Sequence, residues 1–87
     1  MQNYPNPFNP TTKITYSIPE GARVKITVYD ILGTQVSELV NEEKVPGVYQ
    51  VNFNGANLSS GVYVYKIAAM INDKISFSQT QRMMLIK

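Results

Sequence analysis

The sequence predicts an all-β protein, an antiparallel β-sandwich of six to seven strands. Apolar and polar residues alternate with a period of two along most of the 87 residues, as they do in half-buried strands. Clusters of Gly, Pro, Asn and Asp interrupt this alternation at spacings of about 8–12 residues, which is typical of sandwiches. No segment shows a convincing helical periodicity. Two packed sheets therefore account for the pattern.

The first ten residues form a proline-rich segment. Its second half consists of Asn6, Pro7, Phe8, Asn9 and Pro10. Proline fixes φ, lacks a backbone N–H and biases the preceding residue toward extended geometry, so this segment can form neither a helix nor a central strand. We expect residues 1–10 to be an extended lead-in that packs on the sandwich through Tyr4 and Phe8 and caps it.

The first two long strands are expected over residues 11–18 and 23–29. The first places Ile14, Tyr16 and Ile18 on one face. The second shows the cleanest alternation in the chain, with three aliphatic residues facing inward between polar ones. Both strands are therefore expected to line the core.

Two turns bound the second strand. The turn over residues 19–22 contains Pro19, which sets φ, and Gly21, which accepts a positive φ. In the second turn, Asp30 is expected to accept backbone N–H bonds and Gly33 to close the turn in a left-handed conformation.

The later strands are expected over residues 34–40, 49–53, 61–70 and 74–87. The alternation breaks within residues 34–40, so we expect a bulge or an edge position there. A polar connection over residues 41–47 is expected to follow it. Residues 61–70 are apolar on both faces, which predicts a central strand. The last segment is either one long bent strand or two short ones.

A local pattern indicates an immunoglobulin-like sandwich with Greek-key connections. In such sandwiches a Tyr near the start of the sixth strand donates a hydrogen bond to the backbone upstream. The residues from Ser59 to Tyr63 fit this tyrosine corner. Tyr65 would then replace the second cysteine of an antibody domain as a core anchor. Alternatively, both tyrosines are simply good strand formers.

Composition limits the classes of function. The chain has no Cys and no His, and its net charge of +2 comes from scattered Lys and Arg, so it predicts no disulfide, no thiolate metal site and no nucleic-acid partner. Its longest apolar run, residues 67–71, is far shorter than the roughly 18 residues of a membrane helix. Only 16% of residues are charged, which favours a piece of a longer exported protein over a free-standing cytosolic domain.

Candidate catalytic groups are few. The acidic residues are Glu20, Glu38, Glu42, Glu43, Asp30 and Asp73. They fall in expected turns or on exposed strand positions, and Glu42 and Glu43 are interpreted as parts of a solvated loop, so nothing raises a carboxyl pKa. Asn54, Asn57, Asp30 or Asp73 could offer oxygen ligands, but they lack the dense spacing of a calcium loop. The sequence therefore predicts no enzyme, no metal site and no cofactor.

Four segments together resemble a known family. They are Tyr4–Thr12, Val28–Gly33, Leu58–Tyr65 and Arg82–Lys87. In this order they resemble the type A C-terminal sorting domain of the type IX secretion system, an immunoglobulin-like module related to one in flagellar hook-capping proteins. The resemblance implies a single C-terminal domain, residues 1–87, that directs a larger exported protein through the periplasm and the outer membrane to the cell surface.

The resemblance also implies partners and site residues. The partners are an N-terminal cargo domain, the outer-membrane translocon and, in many members, a sortase-like surface protease that removes the domain. Recognition is assigned to the terminal pattern, which contains Arg82, Met83, Leu85, Ile86 and Lys87. An edge strand there could be read by strand addition. The alternative is that its apolar residues only fill the core. The other motif residues are expected to be structural: Asn6, Pro7, Phe8, Asn9, Pro10, Asp30, Gly33, Gly61, Tyr63 and Tyr65.

Two other classes of function remain open. The chain could be a structural immunoglobulin-like spacer of a surface protein. It could also be a carbohydrate-binding module in which Tyr29 and Tyr49 are stacking platforms, although strand tyrosines more often pack inside.

Overall fold

The computed structural model describes residues 3–87, which form seven strands. These are β1 (Asn3–Tyr4), β2 (Thr11–Ile18), β3 (Ala22–Asp30), β4 (Gln35–Lys44), β5 (Gly47–Asn54), β6 (Gly61–Ile71) and β7 (Lys74–Leu85). No helix occurs in this range. Residues 1 and 2 of the expected lead-in lie outside the described residues.

The strands form two sheets with the spatial orders β1-β2-β5 and β4-β3-β6-β7, and all strand pairs are antiparallel. Pairing of β2 with β5 and of β3 with β6 joins strands that are distant in the sequence, as Greek-key connections do. The predicted antiparallel, immunoglobulin-like sandwich is thus confirmed. As expected for residues 61–70, β6 is central, between β3 and β7.

The core lies between the two sheets, and the period-two pattern explains how it is filled. β2 alternates strictly, burying Ile14, Tyr16 and Ile18. From the other sheet β3 contributes three aliphatic side chains and β6 contributes Tyr65 and Ile67, each at most 1% exposed. Because each of these strands presents one apolar face, the two sheets bury their apolar faces against each other.

β4 is longer than predicted. The expected break in alternation is confirmed as an edge strand with two register shifts against β3. The polar connection predicted over residues 41–47 is wrong for residues 41–44, which continue β4 and pair with the start of β3. Charged and polar residues suit this position because the edge faces water. Arg23 Nε donates to Asn41 Oδ1 at 3.1 Å across the two strands.

The last segment is one bent strand rather than two short ones. β7 pairs with β6 along its whole length, and the register shifts between the pairs Ala69–Phe77 and Met70–Ile75. The strand ends at Leu85, so Ile86 and Lys87, expected to belong to it, lie beyond its end. The two-residue turn before it places Asn72 and Asp73 at φ of 53° and 62°, as a tight hairpin requires.

Candidate recognition surface

Phe8 fills one end of the sandwich, whereas the expectation that Tyr4 packs on it as well is wrong, because the Tyr4 side chain is 81% exposed. The Phe8 side chain is 1% exposed and meets the Phe53 ring edge-to-face, with ring centroids 6.0 Å apart. Gly55 closes this end from the side: a Cβ there would lie 3.0 Å from Leu85 Cδ2 and 3.5 Å from Phe8 Cε2. A side chain at this position would require the Leu85 side chain to shift by a few tenths of an ångström.

The lead-in also covers part of the edge of β7. Phe8 N donates to Met84 O at 2.9 Å, and Ile86 N donates to Phe8 O at 2.9 Å, which makes a parallel bridge. The Asn6 side chain extends this pairing: its Oδ1 accepts from Met84 N at 3.0 Å and its Nδ2 donates to Arg82 O at 3.3 Å. Residues 82–86 are therefore already paired with a neighbouring segment along their outer edge.

The five residues of the terminal pattern divide into two groups. Met83 and Leu85 are each 1% exposed and belong to the core. The side chains of Arg82, Ile86 and Lys87 are exposed. Arg82 points away from the core because alternate residues of a strand face opposite sides, and Ile86 and Lys87 are exposed beyond the end of β7, so only the second group can contact a partner directly.

Lys87 is tied to the loop after β5. Its Nζ donates to Ala56 O at 2.5 Å and its backbone N donates to Ser60 Oγ at 3.0 Å. In the same loop Leu58 N bonds Gly55 O, and Gly55 N bonds Pro10 O at 2.8 Å. The tail (residues 82–87), this loop (residues 55–60) and the lead-in are therefore held together by hydrogen bonds. We call this end of the sandwich the sealed end.

The tyrosine corner is present at the sealed end. Tyr63 Oη donates to Ser59 O at 2.7 Å, and the Tyr63 side chain is 7% exposed. Tyr65 is fully buried in the core. A second tyrosine makes the same kind of bond: Tyr49 Oη donates to Val45 O, also four residues upstream, at 2.6 Å.

The turn after β3 lies at the same end because Asp30 pairs with Tyr63 across the sheet. Asp30 Oδ1 accepts from Leu32 N and Thr34 N, both at 2.9 Å. Gly33 has a φ of +87°, which favours glycine. The expected Asp–Gly turn is confirmed. The lead-in, the turn and the corner thus converge with the tail on the sealed end, although they are far apart in the sequence.

Glu42, Asn54 and the two candidate stacking tyrosines make contacts within the domain. Glu42 and Glu43 lie in β4, not in a loop, and Glu42 Oε1 is 2.6 Å from Lys44 Nζ. Asn54 Oδ1 accepts from Ala56 N within the loop. The Tyr49 ring stacks on Tyr16 at 5.6 Å, and Tyr29 Oη accepts from Thr27 Oγ1 at 3.0 Å.

Three groups have shifted pKa values. The hydrogen bond with Lys44 lowers the pKa of the Glu42 carboxyl, and the same bond raises the pKa of the Lys44 ammonium. Burial raises the pKa of the Tyr16 hydroxyl. Each shift moves the pKa away from neutrality, whereas acid–base catalysis requires the opposite.

Two features of the sealed end have no signal in the local sequence. The close packing around Gly55 is one of them, because nothing in the local sequence shows that Phe8 and Leu85 approach it. The side-chain pairing of Asn6 with β7 joins residues 76 and 78 positions apart. An Asn before Pro signals a turn, not a partner at the far end of the chain.

The fold and the sealed end define a class of protein: a small all-β module of two antiparallel sheets in which segments far apart in the sequence meet at one end. A model of the family described as secretion system C-terminal sorting domain matches residues 2–82, so the chain belongs to this family. The family serves type IX secretion, and the domain directs a larger protein to the cell surface or the medium. The matched range ends at Arg82, before the rest of the terminal pattern.

A search among curated proteins and a search among solved structures each gave no match. Within residues 3–87 no helix is long and apolar enough to cross a membrane.

Proposed function

We propose that the sealed end is the surface by which the type IX translocon recognises this domain. Arg82, Ile86 and Lys87 are the contact residues, while Met83 and Leu85 fix the segment to the core. The observation that supports this is the contrast of buried and exposed side chains along the tail: Met83 and Leu85 are held in the core, whereas Arg82 on the outer face of β7 and Ile86 and Lys87 beyond its end are exposed. A rigid surface loses little conformational entropy on binding.

The chain acts in this proposal as one sorting domain, residues 1–87, without catalysis of its own. Residues 1–10 are its capping lead-in, the cargo lies N-terminal to it, and a sortase-like protease removes the domain after export. The absence of His and Cys from the sequence and the pKa shifts away from neutrality support a non-catalytic role.

The test is export of a fluorescent reporter that carries an export signal and is fused in front of this chain, in a host with the type IX machinery. The variant combines Arg82→Glu, Ile86→Ser and Lys87→Glu. The matched control combines Lys13→Glu, Arg23→Glu and Val48→Ser, which change the charge equally at exposed positions outside the segments that form the sealed end. We expect the first variant to accumulate in the periplasm and the control to be exported.

Equal export of both variants would refute the assignment of these three residues. Deleting residues 82–87 would be less informative because it also removes Met83 and Leu85 from the core, so that loss of export could follow from unfolding. The three substitutions leave the core intact, and the melting temperature of each variant verifies this. The mass of the exported reporter shows whether the domain has been removed.

A further inference from the structure

The outer edge of β7 is paired over only part of its length. Residues 82, 84 and 86 direct backbone groups to this edge, where the lead-in binds them. The pairing of β7 with β6 continues without irregularity from Leu85 back to Phe77. Because successive residues of a strand bond to opposite sides, Ser78 and Thr80 direct their N–H and C=O groups to the same edge. No segment within residues 3–87 pairs with them there. We call residues 77–81 the open edge.

The open edge borders an apolar cleft. Phe77 is 39% exposed and lines this cleft together with Ile18, Ala22 and Ile71, among others. The cleft has a volume of about 370 Å³ and lies at the end of β2 that is remote from Phe8. A strand added to the open edge would form backbone bonds with Ser78 and Thr80, and its inward side chains would enter the cleft. Strand addition uses this combination: the backbone gives affinity and the pocket gives specificity.

Charge indicates what kind of strand fits. β7 carries Lys74 before the open edge and Arg82 after it, with no acidic residue between them. A second copy, paired antiparallel about Ser78, would bring the Lys74 end of each strand beside the Arg82 end of the other, and like charges that lie close together repel each other. A segment with acidic residues on both sides of a short apolar stretch would pair favourably with both cations.

We propose that the open edge accepts, by strand addition, an extended segment of a partner protein of the secretion apparatus, apolar in its centre and flanked by acidic residues. The parallel bridge between Phe8 and Leu85 shows that β7 already accepts an added segment farther along the same edge. This inference rests on the proposed function and adds to it a second contact, at residues 77–81, which shares only Arg82 with the sealed end.

The test removes the two outward donors. Proline tolerates an edge position whose N–H faces solvent but cannot donate to an added strand. We compare Ser78→Pro/Thr80→Pro with Ser78→Ala/Thr80→Ala, which keeps both donors, in the reporter export assay. With two hydrogen bonds lost, export of the proline variant falls about tenfold below that of the alanine variant. If the proline and alanine variants are exported equally and the wild type is exported, the proposal that the open edge accepts a strand is overturned, but the sorting function is not.

Failure of the wild type itself to be exported would instead contradict the proposed function. If the proline variant melts more than about 5 °C below the alanine variant, its stability has changed by roughly 1 kcal/mol. The comparison is then Ser78→Asp/Thr80→Asp against Ser78→Lys/Thr80→Lys, since only the first repels an acidic partner. Loss of export with Asp alone supports the proposal, and equal export overturns it. A dimer of the chain that the proline variant abolishes would assign the edge to a second copy instead.

Discussion

At the scale of single residues, the sealed end depends on a few side chains that bond to distant or upstream backbone. The Tyr63 hydroxyl donates a hydrogen bond to Ser59 O, and the Lys87 ammonium donates one to Ala56 O. The Asn6 side chain donates to Arg82 O and accepts from Met84 N. These bonds satisfy backbone groups in loops and at a strand edge, where no neighbouring strand is available to do so. The sealed end thus combines the buried side chain of Phe8 with polar contacts around it.

Tyr63→Phe is expected to lower the free energy of unfolding by about 1 kcal/mol because it removes one partly buried hydrogen bond and leaves the ring in place. Urea unfolding measures the change. Tyr4→Phe is the control, since the Tyr4 side chain is 81% exposed, and it should leave the midpoint unchanged. Identical midpoints for the two variants would show that the corner bond contributes nothing to stability.

At the scale of elements, the lead-in behaves as part of the sandwich rather than as a linker. β1 pairs with β2 in one sheet, and Phe8 then bridges to β7 in the other. The lead-in therefore crosses from one sheet to the other and covers the end between them. A short proline-rich segment suits this path because it is stiff and offers few backbone donors that would need partners.

Phe8→Ala is expected to cost about 3–5 kcal/mol of stability, since it empties a site at which the ring is 1% exposed and in contact with Phe53. Ile31→Ala, at a side chain 77% exposed, should change stability by less than about 0.5 kcal/mol. Both values come from urea unfolding of the full chain. A cost for Phe8→Ala similar to that of Ile31→Ala would mean that the lead-in is dispensable for the fold.

The central strands could be predicted from the sequence, whereas the full length of the edge strand β4 could not. β2, β3 and β6 follow from alternation or from apolar residues on both faces. Residues 41–44 were missed because an edge strand tolerates charges on both faces, so its composition is that of a loop. The corner bond of Tyr63 and the turn at Asp30 could be anticipated because both are local in the sequence.

The candidate site was predictable only in part. The terminal pattern was expected to be a free edge, yet residues 82–86 are covered by the lead-in. Which residues of β7 are covered depends on how Asn6 and Phe8 meet it across the whole length of the chain. No local pattern contains that register, because backbone pairing carries little sequence signal of its own.

At the scale of the whole molecule, the sandwich has two unlike ends. The sealed end is filled by Phe8 and tied by the tail, whereas the other end retains an apolar cleft beside an unpaired strand edge. Both proposals depend on this asymmetry. The sealed end would present the exposed tail residues on a fixed base, and the open edge would accept a further strand.

Amide hydrogen exchange on the full chain tests this division of the β7 edge most directly, because exchange reports local opening residue by residue. The amides of Phe8 and Ile86 donate to backbone carbonyls and that of Met84 donates to Asn6, whereas those of Ser78 and Thr80 face the open edge. We expect the first three to exchange at least about tenfold more slowly than the other two. Fast exchange at Phe8, Met84 and Ile86, or equal protection of Ser78 and Thr80, would contradict the account.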